Sequence, residues 1–203
     1  ASSDFPMASA LFAPGPGASP TGDVVVGRIA ADGSRVEWST LVGGTGREDV
    51  SALALDAQDN LFVTGNTNSA DLPTVEAHQS ELHGQTDVFV IELDKTGQDL
   101  RWSSYLGGSV SEDGHAVGVR GDGVVIVGGV TQSPDFPVEK PTQPVLRGTV
   151  DGFLTWFAAD HGLLGSTFLG GPVDNETLTD ICLDRNDVAY VVGGSSAGFP
   201  VHK

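Results

Sequence analysis

The sequence predicts an all-β fold, a β-propeller-type array of about three four-stranded antiparallel blades that is either partial or completed by a partner. Three observations support this prediction. The 203-residue chain repeats itself about every 64 residues. Each repeat contains four short runs rich in β-branched and aromatic residues, and the 28 glycines and 11 prolines of the chain favour tight turns over long helices. Repeats of this kind predict similar units that stack on one another.

Two landmarks define the repeat. The first is a pentapeptide that runs from Ser69 to Pro73 and occurs four times with small changes, ending at Pro6, Pro73, Pro137 and Pro200. The second is a glycine pair, which follows a tryptophan in the first two repeats. These residues are Trp38 with Gly43 and Gly44, Trp102 with Gly107 and Gly108, and the pair Gly170 and Gly171, before which Gly165 replaces the tryptophan.

These landmarks divide one structural domain into four segments. Residues 1–22 are a connector, which occupies the part of the repeat where the chain crosses between blades. Residues 23–86, 87–150 and 151–203 are three blade repeats. We interpret the pentapeptide as the start of a crossing to the next blade, where proline ends the strand ladder and a Phe or Leu covers the edge of the core.

The second repeat shows the four predicted strands most clearly. They span residues 88–93, 100–106, 115–119 and 124–127, and a turn containing Gly97 joins the first two. In the third strand of each repeat, large side chains occupy one face and mostly small ones the other, as with Val117 and Ala116. In such sheets, the face with large side chains can pack against the face with small side chains of a similar sheet. This pattern favours propeller blades over a flat sandwich.

The chain resembles a known family, the bacterial SBBP repeats, which are named for a suggested seven-bladed β-propeller. The resemblance is carried by residues 56–67, the pentapeptide at 69–73, Gln79 with Gly84, residues 87–90, and Ser-Tyr-Leu-Gly-Gly at 104–108. It covers nearly the whole chain. It implies an exported or surface protein of a bacterium, in the periplasm or on the cell surface, and often a large one.

Three blades are too few for a closed ring, because propellers typically have about four to eight. We therefore expect further blades of a longer parent, a homodimer that closes a six-bladed ring, or a protein partner that covers the open blade faces. Because Ala1 falls inside a repeat, the chain is expected to be a mature chain or an excised piece.

Charge excludes some partners. The 27 Asp and Glu against 10 Lys and Arg give a formal net charge of −17, which repels phosphate backbones and anionic lipid surfaces. We therefore expect no nucleic acid and no direct membrane insertion. The lone Cys182 excludes an internal disulfide and is predicted to be a small buried filler within a strand, not a nucleophile.

An acidic group follows each glycine pair. Repeat equivalence places these groups on one rim, where their oxygens could hold calcium, although the spacing matches no compact calcium loop and solvated turns are the simpler interpretation. The candidates are Glu48, Asp49, Glu112, Asp113, Asp174 and Glu176. No other cofactor or metal is predicted, and the glycine clusters lack the Lys-Ser/Thr of a phosphate-binding loop.

The sequence contains no motif-grade catalytic set, so no catalytic residue is predicted. The equivalent positions of Trp38 and Trp102 favour packing between blades over sugar stacking, whereas Trp156 is compatible with either role. The leading hypothesis is a non-enzymatic extracytoplasmic scaffold for protein–protein interaction, such as an extrinsic accessory subunit of a membrane-associated complex. Alternatives are a surface adhesin that binds glycans or calcium, and a propeller hydrolase or lyase with its site at the central channel.

Overall fold

The structure, a computed structural model, describes residues 22–172 and 175–195, which form twelve β-strands and no helix. Consequently no helix in these ranges could span a membrane. The strands are β1 (Val24–Ile29), β2 (Val36–Val42), β3 (Glu48–Leu55), β4 (Leu61–Thr67), β5 (Asp87–Leu93), β6 (Leu100–Leu106), β7 (Glu112–Val119), β8 (Val125–Thr131), β9 (Asp151–Phe157), β10 (Leu163–Leu169), β11 (Thr177–Leu183) and β12 (Ala189–Gly194). The strands predicted in the second repeat correspond to β5 to β8.

The strands form four antiparallel sheets. Two are complete blades, the first blade in the order β3-β4-β5-β6 and the second blade in the order β7-β8-β9-β10. The other two have two strands each: an N-terminal half blade, β1-β2, and a C-terminal half blade, β11-β12. The all-β fold and the four-stranded antiparallel blade predicted from the sequence are confirmed.

The sheets are offset by two strands from the sequence repeats 23–86, 87–150 and 151–203. β4 and β5 pair along their whole length, from Leu61↔Leu93 to Thr67↔Asp87. The connector that contains the pentapeptide, residues 68–86, therefore joins two strands of one blade. The interpretation of the pentapeptide as a crossing between blades was wrong, and the described residues form two whole blades and two halves instead of three whole blades.

The connector is long because it covers the outer edge of its own blade. Its backbone forms isolated bridges to the outermost strand, Val75↔Ser103 and Gln79↔Tyr105. The connection between blades is instead the short Gly-Gly segment between β6 and β7. Pro6, Pro200 and residues 1–21 of the predicted N-terminal connector lie outside the described residues.

The blades pack large side chains against small ones, as the third-strand pattern predicts. Val117 of β7 belongs to the apolar cluster between the two complete blades, where Ala52 and Ala54 of β3 pack against it. One blade further along, Ala116 of β7 and Ile181 of β11 belong to the same apolar cluster. The face of each blade that carries small side chains is therefore covered by the face of the next blade that carries large ones.

The innermost hairpin of each blade contains a close backbone approach. A β-bulge between Gly114 and Ala116 turns the carbonyl of Asp113 towards Gly129 of β8. A Cβ at Gly129 would lie 2.0 Å from that oxygen, and the equivalent distances at Gly65 and Gly193 are 1.9 Å. The bulge therefore requires glycine at this position in all three described hairpins.

We expect Gly129→Ala to lower the free energy of unfolding by about 2–4 kcal/mol, because backbone must move to admit the methyl group. Urea denaturation followed by circular dichroism measures this loss. Gly162→Ala is the matched control. Its Cβ would meet only the exposed Asp160 carboxylate, at 3.3 Å. Equal stability of the two variants would contradict this account of the bulge.

Candidate functional site

The topology gives the array two different rims. The turns within hairpins, such as that between β3 and β4, lie at one end of every blade, which we call the hairpin rim. The connectors and the Gly-Gly segments lie at the opposite end, which we call the junction rim. This follows from the antiparallel order of each sheet, because successive connections alternate between its two ends.

The innermost strands β3 and β7 each begin with a buried glutamate that binds its own blade, and a buried glutamate, Glu176, directly precedes β11. In β7, Glu112 Oε1 accepts a hydrogen bond from Thr131 Oγ1 at 2.6 Å and Oε2 accepts one from the Gly108 amide at 3.0 Å. Burial raises the pKa of Glu112, which hydrogen bonds from Ser133, Thr131 and Gly108 partly offset. Glu48 repeats the arrangement with Thr67, at 2.7 Å, and the Gly44 amide, at 3.3 Å.

A second buried carboxylate fastens the connector. Asp87 Oδ2 accepts hydrogen bonds from Gln79 Nε2 at 2.6 Å and the His83 amide at 2.9 Å, and Gln79 Oε1 accepts one from the Gly107 amide. A Cβ at Gly107 would lie 2.5 Å from Glu112 Oε2 and 2.7 Å from Asp87 Oδ1. Two carboxylates therefore leave no room for a side chain at the first position of the pair, which requires glycine. Gln143, Asp151 and Gly170 repeat this arrangement in the second blade.

The pentapeptide holds the Gly-Gly segment through its serine and aspartate. Ser133 Oγ accepts a hydrogen bond from the Val110 amide at 2.8 Å, and Asp135 Oδ1 accepts two from the amide and hydroxyl of Ser109, both at 2.9 Å. The amide of Ser109 is the main cause that lowers the pKa of Asp135. A Cβ at Gly108 would lie 2.5 Å from the Ser133 Cβ, so the second position of the pair also requires glycine.

A buried tyrosine completes the junction in the first blade. Tyr105 Oη donates to the Ser69 carbonyl at 2.6 Å and accepts from the Leu72 amide at 3.0 Å. Burial raises its pKa to about 12, so the phenol stays protonated and can donate. The pentapeptide is therefore a fastening element, and its apolar fourth residue, Leu72 or Phe136, is buried in the core.

The five calcium candidates within the described residues do not form one group. Glu48 and Glu112 bind the main chain of their own blades, Asp49 pairs with Arg47 at 2.7 Å, and Asp113 accepts from Asn66. Glu176 is also buried, and Asp174 lies outside the described residues. Within residues 22–172 and 175–195, no three His, Cys, Asp or Glu side chains are grouped so that they could hold a metal ion.

Both equivalent tryptophans lie between blades. Trp102 of β6 is buried, stacks on the imidazole of His161 at a centroid distance of 4.6 Å, and meets Phe157 edge-on at 5.1 Å. Trp38 lies over Gly97, the position equivalent to His161. Trp156 packs against the cluster below the C-terminal half blade. His161 lies in the turn between β9 and β10, and its Nε2 also lies 3.1 Å from Glu92 Oε2, a contact that the sequence does not reveal. Cys182 of β11, predicted to be buried, is exposed.

The hairpin rim is more acidic than the sequence analysis indicated. Its six turns contain nine aspartates against four Arg or Lys. The aspartates are Asp32, Asp56, Asp59, Asp94, Asp99, Asp122, Asp160, Asp184 and Asp187. Several of them cap their turns while they face solvent, as Asp32 does by accepting from the Ser34 amide at 3.0 Å and the Ser34 hydroxyl at 2.6 Å. A turn preference for aspartate is the sequence signal that could have located this rim.

We expect Glu112→Gln to remove one pH-dependent component of stability. Burial raises the folded-state pKa of Glu112 above its ordinary value of 4.5. The contribution of this pKa shift to the free energy of unfolding is therefore fully present below pH 4.5 and is lost as pH rises through the folded-state pKa. The difference in unfolding free energy, wild type minus variant, should therefore fall between acidic and neutral pH in urea denaturation series. Exposed Glu81→Gln serves as the control. A difference that does not vary with pH would contradict the assignment.

Calcium is expected to leave the stability unchanged, because the buried glutamates already bind hydroxyls and amides. In thermal denaturation with excess CaCl₂ or with EDTA, Tm should differ by under about 1 °C. A dose-dependent rise in Tm with calcium, absent with MgCl₂, would contradict this expectation and support the calcium candidates.

Comparison with known proteins agrees with this architecture. Residues 37–73, from β2 to the pentapeptide, match the model of the SBBP family, described as a β-propeller repeat. The chain is also similar to the regulatory protein FlaEY of Caulobacter vibrioides, with 28% identity over 166 residues that cover 79% of this chain and 17% of FlaEY. The chain therefore corresponds to a small part of that relative's length. Residues 37–73 therefore match one SBBP β-propeller repeat, and both findings favour an interaction module over an enzyme.

Proposed function

We propose that this chain is a non-enzymatic scaffold that docks another protein through its acidic hairpin rim. One observation carries the proposal: the buried carboxylates Glu48, Glu112, Asp87 and Asp151 are bound by strand ends, Gly-Gly segments and connectors, whereas the hairpin aspartates remain at the surface. The first group makes the array rigid. The second group provides a fixed pattern of negative charge that a basic protein surface can recognise.

The proposed compartment is extracytoplasmic, in the periplasm or on the surface of a bacterium, with the chain acting as an accessory subunit of a membrane-associated complex. This placement is supported by the resemblance to SBBP repeats, which are typical of exported bacterial proteins. The net charge of −17 disfavours direct contact with anionic lipid, so attachment would be through a protein with basic loops.

Affinity capture tests the docking rim. The 203-residue chain is immobilised and incubated with detergent-solubilised envelope from its source bacterium at low and high salt. The variant Asp122→Asn/Asp160→Asn removes two exposed hairpin-rim charges and keeps side-chain size. We expect about three- to tenfold weaker capture than with the wild type at low salt, because rim charges act through screened electrostatic attraction.

The matched control is Asp49→Asn/Glu81→Gln, which removes two exposed charges at the junction rim. It should capture the partner as the wild type does. Equal loss in both variants would show that net charge, and not the hairpin rim, governs binding. Capture that is insensitive to salt and to both variants would overturn the proposed function.

A further inference from the structure

A cavity opens at the hairpin rim between the first and second blades. It has a volume of about 310 Å³ and is lined by the turns between β3 and β4, between β7 and β8, and between β9 and β10. This volume is near the lower end of the range for ligand pockets, which is about 300–1,000 Å³. The cavity is therefore of a size that suits one side chain of another protein.

The walls of the cavity combine apolar and acidic groups. Phe62 of β4, Val119 of β7 and Val125 of β8 provide apolar surface. Glu92 of β5 and Asp122, in the turn between β7 and β8, provide carboxylate oxygens. A ligand that matches both parts has an apolar stem and a cationic end, which describes the side chains of lysine and arginine.

Glu92 is a buried carboxylate with an unused acceptor atom. Its side chain is only 10% exposed. Oε2 lies 3.1 Å from His161 Nε2, and Oε1 accepts no hydrogen bond from the described residues. Arg101 Nη1 is 3.9 Å from Oε1 and donates instead to Asn60 Oδ1 at 3.0 Å. Because a buried carboxylate oxygen without a donor is unfavourable, Oε1 marks the place where a donor from a ligand binds.

The equivalent place one blade further along is filled. Trp156 stands one repeat after Glu92 and packs in the same apolar cluster as the residues equivalent to the three apolar residues of the cavity. These residues are Ile126, Leu183 and Ala189. The indole therefore occupies the space that the smaller glutamate leaves open. A carboxylate at this one position both creates the cavity and gives it an acceptor.

Charge also differs between the two blade interfaces. Asp56 and Gly121 line the cavity, whereas the residues one repeat later are Arg120 and Arg185. The cavity therefore attracts a cation, and the equivalent place beside the C-terminal half blade repels one. Within residues 22–172 and 175–195, this combination of open space and carboxylates is confined to the interface between the two complete blades.

We propose that this cavity binds one lysine side chain of the protein that docks on the hairpin rim. The ammonium group donates to Glu92 Oε1, and the methylene stem packs on Phe62, Val119 and Val125. The inference rests on the proposed function and names the group of the partner that the rim recognises. It gives the acidic rim one specific contact in addition to its general attraction for basic surfaces.

The acceptors of the cavity favour lysine over arginine. A guanidinium group binds a carboxylate best through both oxygens at once. Glu92 Oε2 is occupied by His161, and Asp122 Oδ2 accepts from Arg120 Nη2 at 2.9 Å. Both oxygens of Asp56 accept hydrogen bonds from its own turn. An ammonium group needs only single acceptors and can direct a donor to Glu92 Oε1.

The second blade holds the acceptor in place. His161 stacks on Trp102 and contacts Glu92, so its side chain joins the two complete blades. Its backbone has a φ of 66°, as has its repeat equivalent, Gly97. This left-handed conformation is unfavourable for a residue with a side chain, and the contacts across the interface hold His161 in it. Glu92 is therefore fixed before a ligand arrives, which reduces the entropy lost on binding.

Side-chain analogues test the cavity directly. n-Butylammonium corresponds to the lysine side chain, n-propylguanidinium to the arginine side chain, and n-butanol lacks the charge. In NMR titrations of the ¹⁵N-labelled 203-residue chain, n-butylammonium should give saturable shifts of the Gly121 and Gly123 amides, which line the cavity. Glu92→Gln keeps the side-chain size and should raise the Kd at least about tenfold, because a charge-assisted hydrogen bond is lost.

The control variant is Glu81→Gln, which removes an exposed charge at the junction rim and should bind n-butylammonium as the wild type does. n-Butanol and n-propylguanidinium should bind the wild type at least about threefold more weakly than n-butylammonium. Circular dichroism verifies that each variant folds. No saturable shift at the cavity, equal binding of either other analogue, or an unchanged Kd in Glu92→Gln would overturn the lysine site.

A cavity-filling variant separates this inference from the proposed function. Ala159 is exposed and lines the cavity, so Ala159→Leu fills space there and keeps every charge. Gln98→Leu is the matched control, because Gln98 is exposed in a hairpin turn that does not line the cavity. In the affinity capture described above, Ala159→Leu should weaken capture about three- to tenfold and Gln98→Leu should not. Capture that Asp122→Asn/Asp160→Asn weakens but Ala159→Leu does not would overturn the lysine site and leave the docking rim in place.

Discussion

A buried carboxylate at the start of each innermost strand is the constraint on which the rest of the array depends. Glu112 accepts hydrogen bonds from the end of the neighbouring strand and from the Gly-Gly segment, so one side chain joins three parts of the chain. Buried charge without such donors would be strongly destabilising. The glycine pair, the serine and the aspartate of the repeat therefore persist together, because each one fits around this carboxylate or the adjacent Asp87.

Fixing the junctions determines how the blades stack. With β6 tied to β7 by a short segment, the bulky face of one blade meets the small face of the previous one, and Val117 packs over Ala52 and Ala54. The contacts between blades are therefore largely apolar, whereas the buried carboxylates Glu48, Asp87 and Glu112 lie at the junction rim. The hairpin rim carries the turn aspartates, which leaves its charge available to other molecules.

The sequence could predict the repeat, the strands and the large-against-small packing, because these depend on periodicity and side-chain size. It could not set the blade boundaries. The long connector and the Gly-Gly segment both look like crossings, and only the β4–β5 pairing distinguishes them. Likewise, Glu48 and Glu112 appear as surface acids in sequence, since the donors that bury them lie about 20 residues away along the chain.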